Sequence, residues 1–418
     1  MIKNIHMKYN LGIWLAIFCL VYNPPLLPFN SMHLVGGLSL VYLFMNYAST
    51  KRLLKSKHSM WAIGFFFVLT IYLFLVSTLF PKGNLETMYF STYFILDIIP
   101  FGLALLIYHD KKNLTVSDFY DLIIQVALVQ AILAIAAFFL PEVQKIFVSM
   151  FINQGYGEAY AMLADHRLYG LAGTLTFSMP ILQSFLAVCC FYKAFESDRI
   201  KNILLALVLF FSAVINARVS IVVMLVGVFS FFLSRISVLK KIILALGLVA
   251  SFGLFVGVAL PLLEAQDNNT FSWVLDGVKE ILAFAKGENV GYFAYITNID
   301  RYVLPNGIVS LMFGEGHSIM GGEKLYGVAS DVGFINDIWR GGFVYLIVLY
   351  CFAFRALWAV YKNGEKQISF IGLCALLAVP VLSFKGSIIR MNEFSVVLFL
   401  IYMVSNISFP QDDERSQL

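Results

Sequence analysis

The chain has 418 residues, is 60% hydrophobic and 13% charged, and has a mean hydropathy of +0.83. Soluble domains average about 25% charged and about 45–50% apolar residues, so this composition excludes one, along with a disordered chain, a collagen-like fibre and a disulfide scaffold. A net charge of +4, with its basic residues scattered among apolar runs, argues against a nucleic-acid partner.

A helix needs about 20 apolar residues to cross the hydrocarbon core. On that ruler the sequence predicts an all-α polytopic membrane protein with about twelve spans. They lie near 11–27, 32–49, 60–79, 88–107, 119–140, 174–194, 203–216, 219–234, 242–263, 341–360, 368–384 and 393–408. The first run passes into Asn23-Pro24-Pro25 without a small-residue cleavage site and is expected to be a span rather than a cleaved signal peptide. The five cysteines sit inside apolar runs without metal-ligand spacing and read as small hydrophobes. No repeat or soluble domain interrupts the series, so residues 1–418 read as one membrane domain.

Short loops and adjacent helix ends set the orientation. With the N-terminus inside, 18 of the 29 Lys and Arg fall on the cytoplasmic face, and both termini are expected there. Two connections are long and external, near 141–173 and 264–340. Loops of that size carry function or helices of their own. Residues 143–152 and 271–284 repeat apolar side chains at three- and four-residue steps, as short interfacial helices do.

Soluble-enzyme signatures are missing: no Walker A, HExxH or GxSxG sequence occurs, and Gly314-Glu-Gly316 lacks the third glycine of a dinucleotide fingerprint. No cofactor or metal is expected. The chemistry must lie in the few charged groups. His166-Arg167-Leu-Tyr-Gly170 closes the first long loop, and Asn216-Ala-Arg218 interrupts the apolar stretch 203–233. As one helix that stretch would run about 46 Å, against a core of about 30 Å, so a sharp external turn is predicted at residues 216–218. The second long loop adds Asp300-Arg301, Gly314-Glu-Gly-His317 and the run from Ser330-Asp331 to Arg340-Gly-Gly342.

Arginines at a helix end often snorkel to headgroups, a loop histidine is often a hydrogen-bonded surface group, and loop glycines mark turns. Three arginines at one face, Arg167, Arg218 and Arg301, offer another reading, since planar permanently charged forks suit a diphosphate. Asp97 stands mid-span ahead of Pro100. It is either part of a polar cavity or a helix-packing group, neutral or paired with Lys or Arg. Gln125, Gln130 and Gln183 read as interhelical hydrogen-bonding groups.

The pattern resembles bacterial O-antigen polymerases of the Wzy type, which are related to the O-antigen ligases. The resemblance rests on the span count, the two long loops, the Arg167-x-x-Gly170 element and Arg218 at an external turn. It also rests on Gly314-x-Gly316, Ser330-Asp331-x-Gly333 and the aromatic run into Arg340-Gly-Gly342. Ligases resemble a His-Asn/Ser pair where this chain has Ser330-Asp331, which favours polymerase over ligase. The resemblance implies an enzyme of the bacterial inner membrane that joins undecaprenyl-diphosphate-linked oligosaccharide repeats at the periplasmic face with inversion. Membrane lipid and a chain-length regulator protein are the implied partners. Arg167, Arg218 and Arg301 would hold the diphosphate, and His317, Asp331 and Glu315 are of the right type for proton transfer. An O-antigen ligase and a lipid-linked oligosaccharide flippase or secondary transporter are the competing readings; the latter would use Asp97 in a midplane pathway.

Overall fold

The computed structural model describes residues 9–25, 30–153, 170–173, 177–197, 199–234, 236–242, 276–277, 279–280, 283–284, 286–291, 294, 297–319 and 330–407. Every regular element among them is helical. In chain order these are α1 (Leu11–Tyr22), α2 (Ser31–Met45), α3 (Tyr47–Leu54), α4 (Lys57–Leu79), α5 (Tyr89–Tyr93), a π-helix (Phe94–Ile98), α6 (Ile99–Lys112), α7 (Val116–Phe139) and α8 (Pro141–Asn153). They continue as α9 (Ser178–Ser197), α10 (Ile200–Val214), α11 (Val219–Leu233), α12 (Ile308–Phe313), α13 (Gly333–Asn363), α14 (Lys366–Leu382) and α15 (Glu393–Asn406).

Five stretches are long and apolar enough to cross a membrane: Lys57–Leu79, Leu85–Lys112, Val116–Phe139, Ser178–Ser197 and Gly333–Asn363. A helix also lies at each remaining predicted span within the described residues, but these are shorter. At 1.5 Å per residue the 12 residues of α1 extend about 18 Å and the 15 of α10 or α11 about 22 Å, short of a 30 Å core. The predicted span 242–263 lies outside the described residues from 243 onward. Large apolar side chains are nevertheless exposed along many of these helices, among them Phe44, Phe67, Val68, Leu225, Ile347 and Trp358. In a membrane protein such faces meet lipid rather than water.

The tenth predicted span begins earlier than hydropathy suggests. Helix α13 starts at Gly333, inside what reads as loop, because Val332, Ile335, Ile338 and Trp339 bury themselves with Ile319 in a cluster of their own. The helix then kinks at Gly342, whose φ of 70° departs from the helical region. Of the two predicted interfacial helices, 143–152 forms within α8; the second, 271–284, lies partly outside the described residues, and residues 276–277, 279–280 and 283–284 are helical.

The chain divides into two compact units. The first comprises residues 1–126, 302–379 and 383–418, and the second residues 127–301 and 380–382. Aromatic packing dominates the first. Phe65 stacks on Phe352 with ring centroids 3.7 Å apart, and Phe66 on Phe94 at 4.4 Å. Phe66, Phe90, Phe94, Phe352 and Phe399 help line an apolar cavity of about 60 Å³. Small residues and polar pairs join helices in the second unit. Gly227 of α11 faces Val188 of α9 so closely that a Cβ there would lie 2.3 Å from the valine, and Ser212 of α10 donates to Gln183 of α9 at 2.7 Å.

Candidate functional site

In the first unit, three sequence-separated motifs converge on one buried polar cluster. Its centre is Arg340, 4% exposed, on the segment of α13 before the kink. Its guanidinium donates to Asp337 Oδ1 at 3.1 Å, Ser387 Oγ at 2.9 Å and Ser318 Oγ at 2.8 Å. Asp337, one helical turn earlier, also accepts from Ser387 at 3.1 Å. Asn336 forms the second layer. Its Oδ1 accepts from Ser318 Oγ at 2.9 Å and from the Ile319 amide at 3.1 Å, while its Nδ2 donates to the Ser330 carbonyl at 2.7 Å. A buried charge pair is stable only when both partners are bonded this fully.

Backbone geometry brings the motifs together. Gly314 and Gly342 both have positive φ, 82° and 70°, which side chains with a Cβ rarely adopt. They also approach each other closely: a Cβ on Gly314 would lie 2.5 Å from the Gly341 amide, and one on Gly342 would lie 2.1 Å from the Met312 carbonyl. Tyr72 of α4 locks the kink by donating to the Gly341 carbonyl at 2.7 Å. The Glu315 amide donates to the Trp339 carbonyl at 2.7 Å, and the Gly316 carbonyl accepts from the Asn84 amide at 2.7 Å. Gly333 packs against the 386–387 backbone and donates to the Ser383 carbonyl at 2.8 Å. The glycines are therefore contact points between segments as well as turns.

His317 and Glu315 stand beside this cluster. His317 is buried against Trp339, with ring centroids 5.2 Å apart, and its Nδ1 lies 3.3 Å from the Glu315 carbonyl oxygen. Asp331 is half-buried next to Ser330, whose hydroxyl accepts from the Val332 amide at 3.2 Å. All three predicted proton-transfer candidates thus lie on segments that meet at the Arg340 cluster.

The arginine trio fares differently. Arg167 and His166 lie outside the described residues. Gly170, the end of that element, packs on Gln130 of α7, whose Oε1 accepts from the Leu171 amide at 3.3 Å. Arg218 stands where predicted, at the turn between α10 and α11, and caps the start of α11. It does not present a bare fork. Its Nη1 donates to Glu280 Oε1 at 2.5 Å, with the side chains 27% and 17% exposed, and Gly277 packs on its methylenes. Arg301 ends a short 3₁₀ turn, Ile299–Arg301, in the same unit.

Sequence reading missed the groups that complete the first-unit cluster. Asp337, Asn336 and Ser387 are ordinary residues until the fold buries them. Arg390 sits in a short loop where no motif singles it out. It lies beside Arg340 and Asp337 closely enough to act on both electrostatically, its Cζ lies 5.9 Å from the Phe90 ring centroid, and its Nε has no hydrogen-bond partner among the described residues. The available signal was a lone arginine two residues before Asn392, which caps α15 with a full capping box.

Asp97 is 2% exposed and lies in the π-helix between α5 and α6. Its partner is neither Lys nor Arg but His33 of α2, whose Nδ1 is 2.8 Å from Oδ2. The wide π-turn answers a backbone need, because Pro100 has no N–H and its ring crowds the carbonyl four residues back. Gln183 makes the expected interhelical bond, whereas Gln125 is exposed. Among the described residues no three His, Cys, Asp or Glu come together to hold a metal. No family model, curated protein or solved structure matches the chain, so the case for its function rests on this geometry and on the sequence motifs.

Proposed function

We propose that the protein is a membrane-embedded glycosyltransferase that polymerises oligosaccharide repeats carried on undecaprenyl diphosphate, at the periplasmic face of a bacterial inner membrane. Its about twelve spans would place both termini in the cytoplasm. The observation that carries this reading is the convergence of Gly314-x-Gly316, Ser330-Asp331-x-Gly333 and Arg340-Gly-Gly342 on a single buried cluster. Those are the elements on which the resemblance to O-antigen polymerases rests, and they are far more intimately packed than loop segments need to be.

In this reading Arg340 is a positioning residue, since Asp337, Ser318 and Ser387 occupy its donors. The departing diphosphate is met by arginine. In the first unit that group is Arg390, half-buried with its Cζ 5.9 Å from the Phe90 ring and its Nε without a hydrogen-bond partner among the described residues. The alternative is the set that the resemblance implies, Arg167, Arg218 and Arg301, in which Arg218 would exchange Glu280 for the anion. Guanidinium stabilises charge that develops on the leaving phosphate without any proton movement. His317, Asp331 or Glu315 then assists removal of the acceptor hydroxyl proton.

The test is reconstitution of the purified full-length protein with lipid-linked repeats. Longer glycans formed without an ion gradient support the reading. Glycans that stay at one repeat while lipid-linked substrate crosses the bilayer would replace it with transport. In cells, deletion should leave single repeats where the wild type makes long ladders; an unchanged ladder, with no change in capsule, would count against the proposal.

A further inference from the structure

The pair formed by Asp97 and His33 holds an imidazole in one orientation, in a part of the first unit that the Arg340 cluster does not use. A carboxylate inside an apolar helix is costly and persists where a partner and a use exist. Asp97 Oδ2 and His33 Nδ1 lie 2.8 Å apart. Their hydrogen bond fixes which ring nitrogen meets the aspartate and leaves Nε2 turned away from it. The Tyr93 ring stacks on the imidazole with centroids 5.0 Å apart and planes 27° apart, which holds it in one orientation. Gly36, one turn after His33, packs so tightly on Asp97 that a Cβ there would lie 2.3 Å from Oδ1.

The carboxylate is buried, yet the side chain of His33 is 49% exposed. An exposed ring held by a buried carboxyl group and a stacked tyrosine is over-determined for a packing role. The surroundings suggest what it meets. Tyr89, 51% exposed, lies 6.3 Å from Tyr93 by ring centroid, so His33 ends an aromatic edge. The helix bearing that edge starts at Leu85, next to Asn84, whose amide is bonded to the Gly316 carbonyl of the proposed site. Aromatic rings beside a fixed hydrogen-bonding nitrogen suit a saccharide, whose C–H faces lie on rings while its hydroxyls need polar partners.

We propose that His33, oriented by Asp97, is a hydrogen-bonding site for a saccharide hydroxyl seated along the Tyr89 and Tyr93 edge. The identity of that saccharide as a lipid-linked repeat rests on the polymerase reading; the binding site itself does not.

Diethyl pyrocarbonate acylates imidazole nitrogen that carries a lone pair, and peptide mass mapping reads each histidine separately. The full-length protein would be treated in detergent with and without lipid-linked saccharides extracted from cells lacking the protein. His58, which pairs with Tyr402 at 3.1 Å, serves as the internal reference. The extract is expected to slow acylation of His33 at least fivefold while His58 is unchanged, and extract stripped of its sugar by mild acid should not protect. Asp97→Ala is expected to abolish protection by releasing the ring from its fixed orientation. Equal His33 rates with and without extract, or equal protection by the stripped lipid, would overturn the proposal, and the wild-type measurement stands even where Asp97→Ala fails to fold. A preparation that lengthens glycans yet shows no protection fails this inference alone. One that protects His33 but lengthens nothing fails the polymerase reading alone.

Discussion

Arg340 and Arg218 are both arginines beside an acidic partner, one in each compact unit, and they illustrate opposite uses of the same charge. Arg340 is 4% exposed, and three hydrogen bonds tie it to helix and loop segments that are distant in sequence. Arg218 stands at a helix turn, about a quarter exposed, with Glu280 on Nη1. Burial with full bonding makes an arginine part of the scaffold; partial exposure leaves it able to trade an acidic partner for a ligand. The two should therefore separate stability from activity.

Arg340→Ala should show the largest effect, because it removes the hydrogen-bonded counter-charge of the buried Asp337, a loss of about 3–5 kcal/mol. The expected result is loss of folded protein from the membrane, read by thermal unfolding in detergent, with partial recovery in the double variant Asp337→Leu, Arg340→Met. A stable, inactive Arg340→Ala protein would instead move Arg340 from scaffold to ligand contact. Arg218→Ala should have the reverse signature. Membrane levels and melting behaviour stay near wild type, since a partly exposed pair contributes little, while glycan extension falls about 10²–10³-fold, the scale of losing one charge-stabilising donor. Full activity in that variant would remove Arg218 from the diphosphate set.

Gly342→Ala should cost about 2–3 kcal/mol through a strained positive φ and a clash with the Met312 carbonyl. It should lower activity in proportion to folded protein, separating the kink's packing from any chemical part. The smallest change is Ser212→Ala in the second unit, which removes the bond to Gln183 at a cost of about 1 kcal/mol. A small downward shift in melting temperature with unchanged glycan extension would show that this helix pairing is packing alone.

Much of the helix layout was legible because it depends on local properties. Long apolar runs form helices wherever they occur, and the stretch 203–233 had to turn because it exceeds the hydrocarbon core; it does so at residues 215–218. The glycine motifs were legible as punctuation. Their role as contact points was not, since a close approach between Gly314 and Gly342 is a relation between segments 28 positions apart in numbering. Helix ends were less legible: α13 begins at Gly333 because a satellite cluster around Trp339 rewards helix formation outside the apolar run.

Composition and apolar periodicity alone established an all-helical membrane chain and singled out its scarce charges, because the hydrophobic effect and the bilayer act on every residue without reference to its distant neighbours. Pairing was decided only in three dimensions. Asp97 found His33 rather than a lysine or arginine, Arg340 was consumed by Asp337 and two serines, and Arg390 kept a donor in reserve. A charge's role depends on which partners the fold brings within about 3 Å and how much water it leaves behind, and neither is written along the chain.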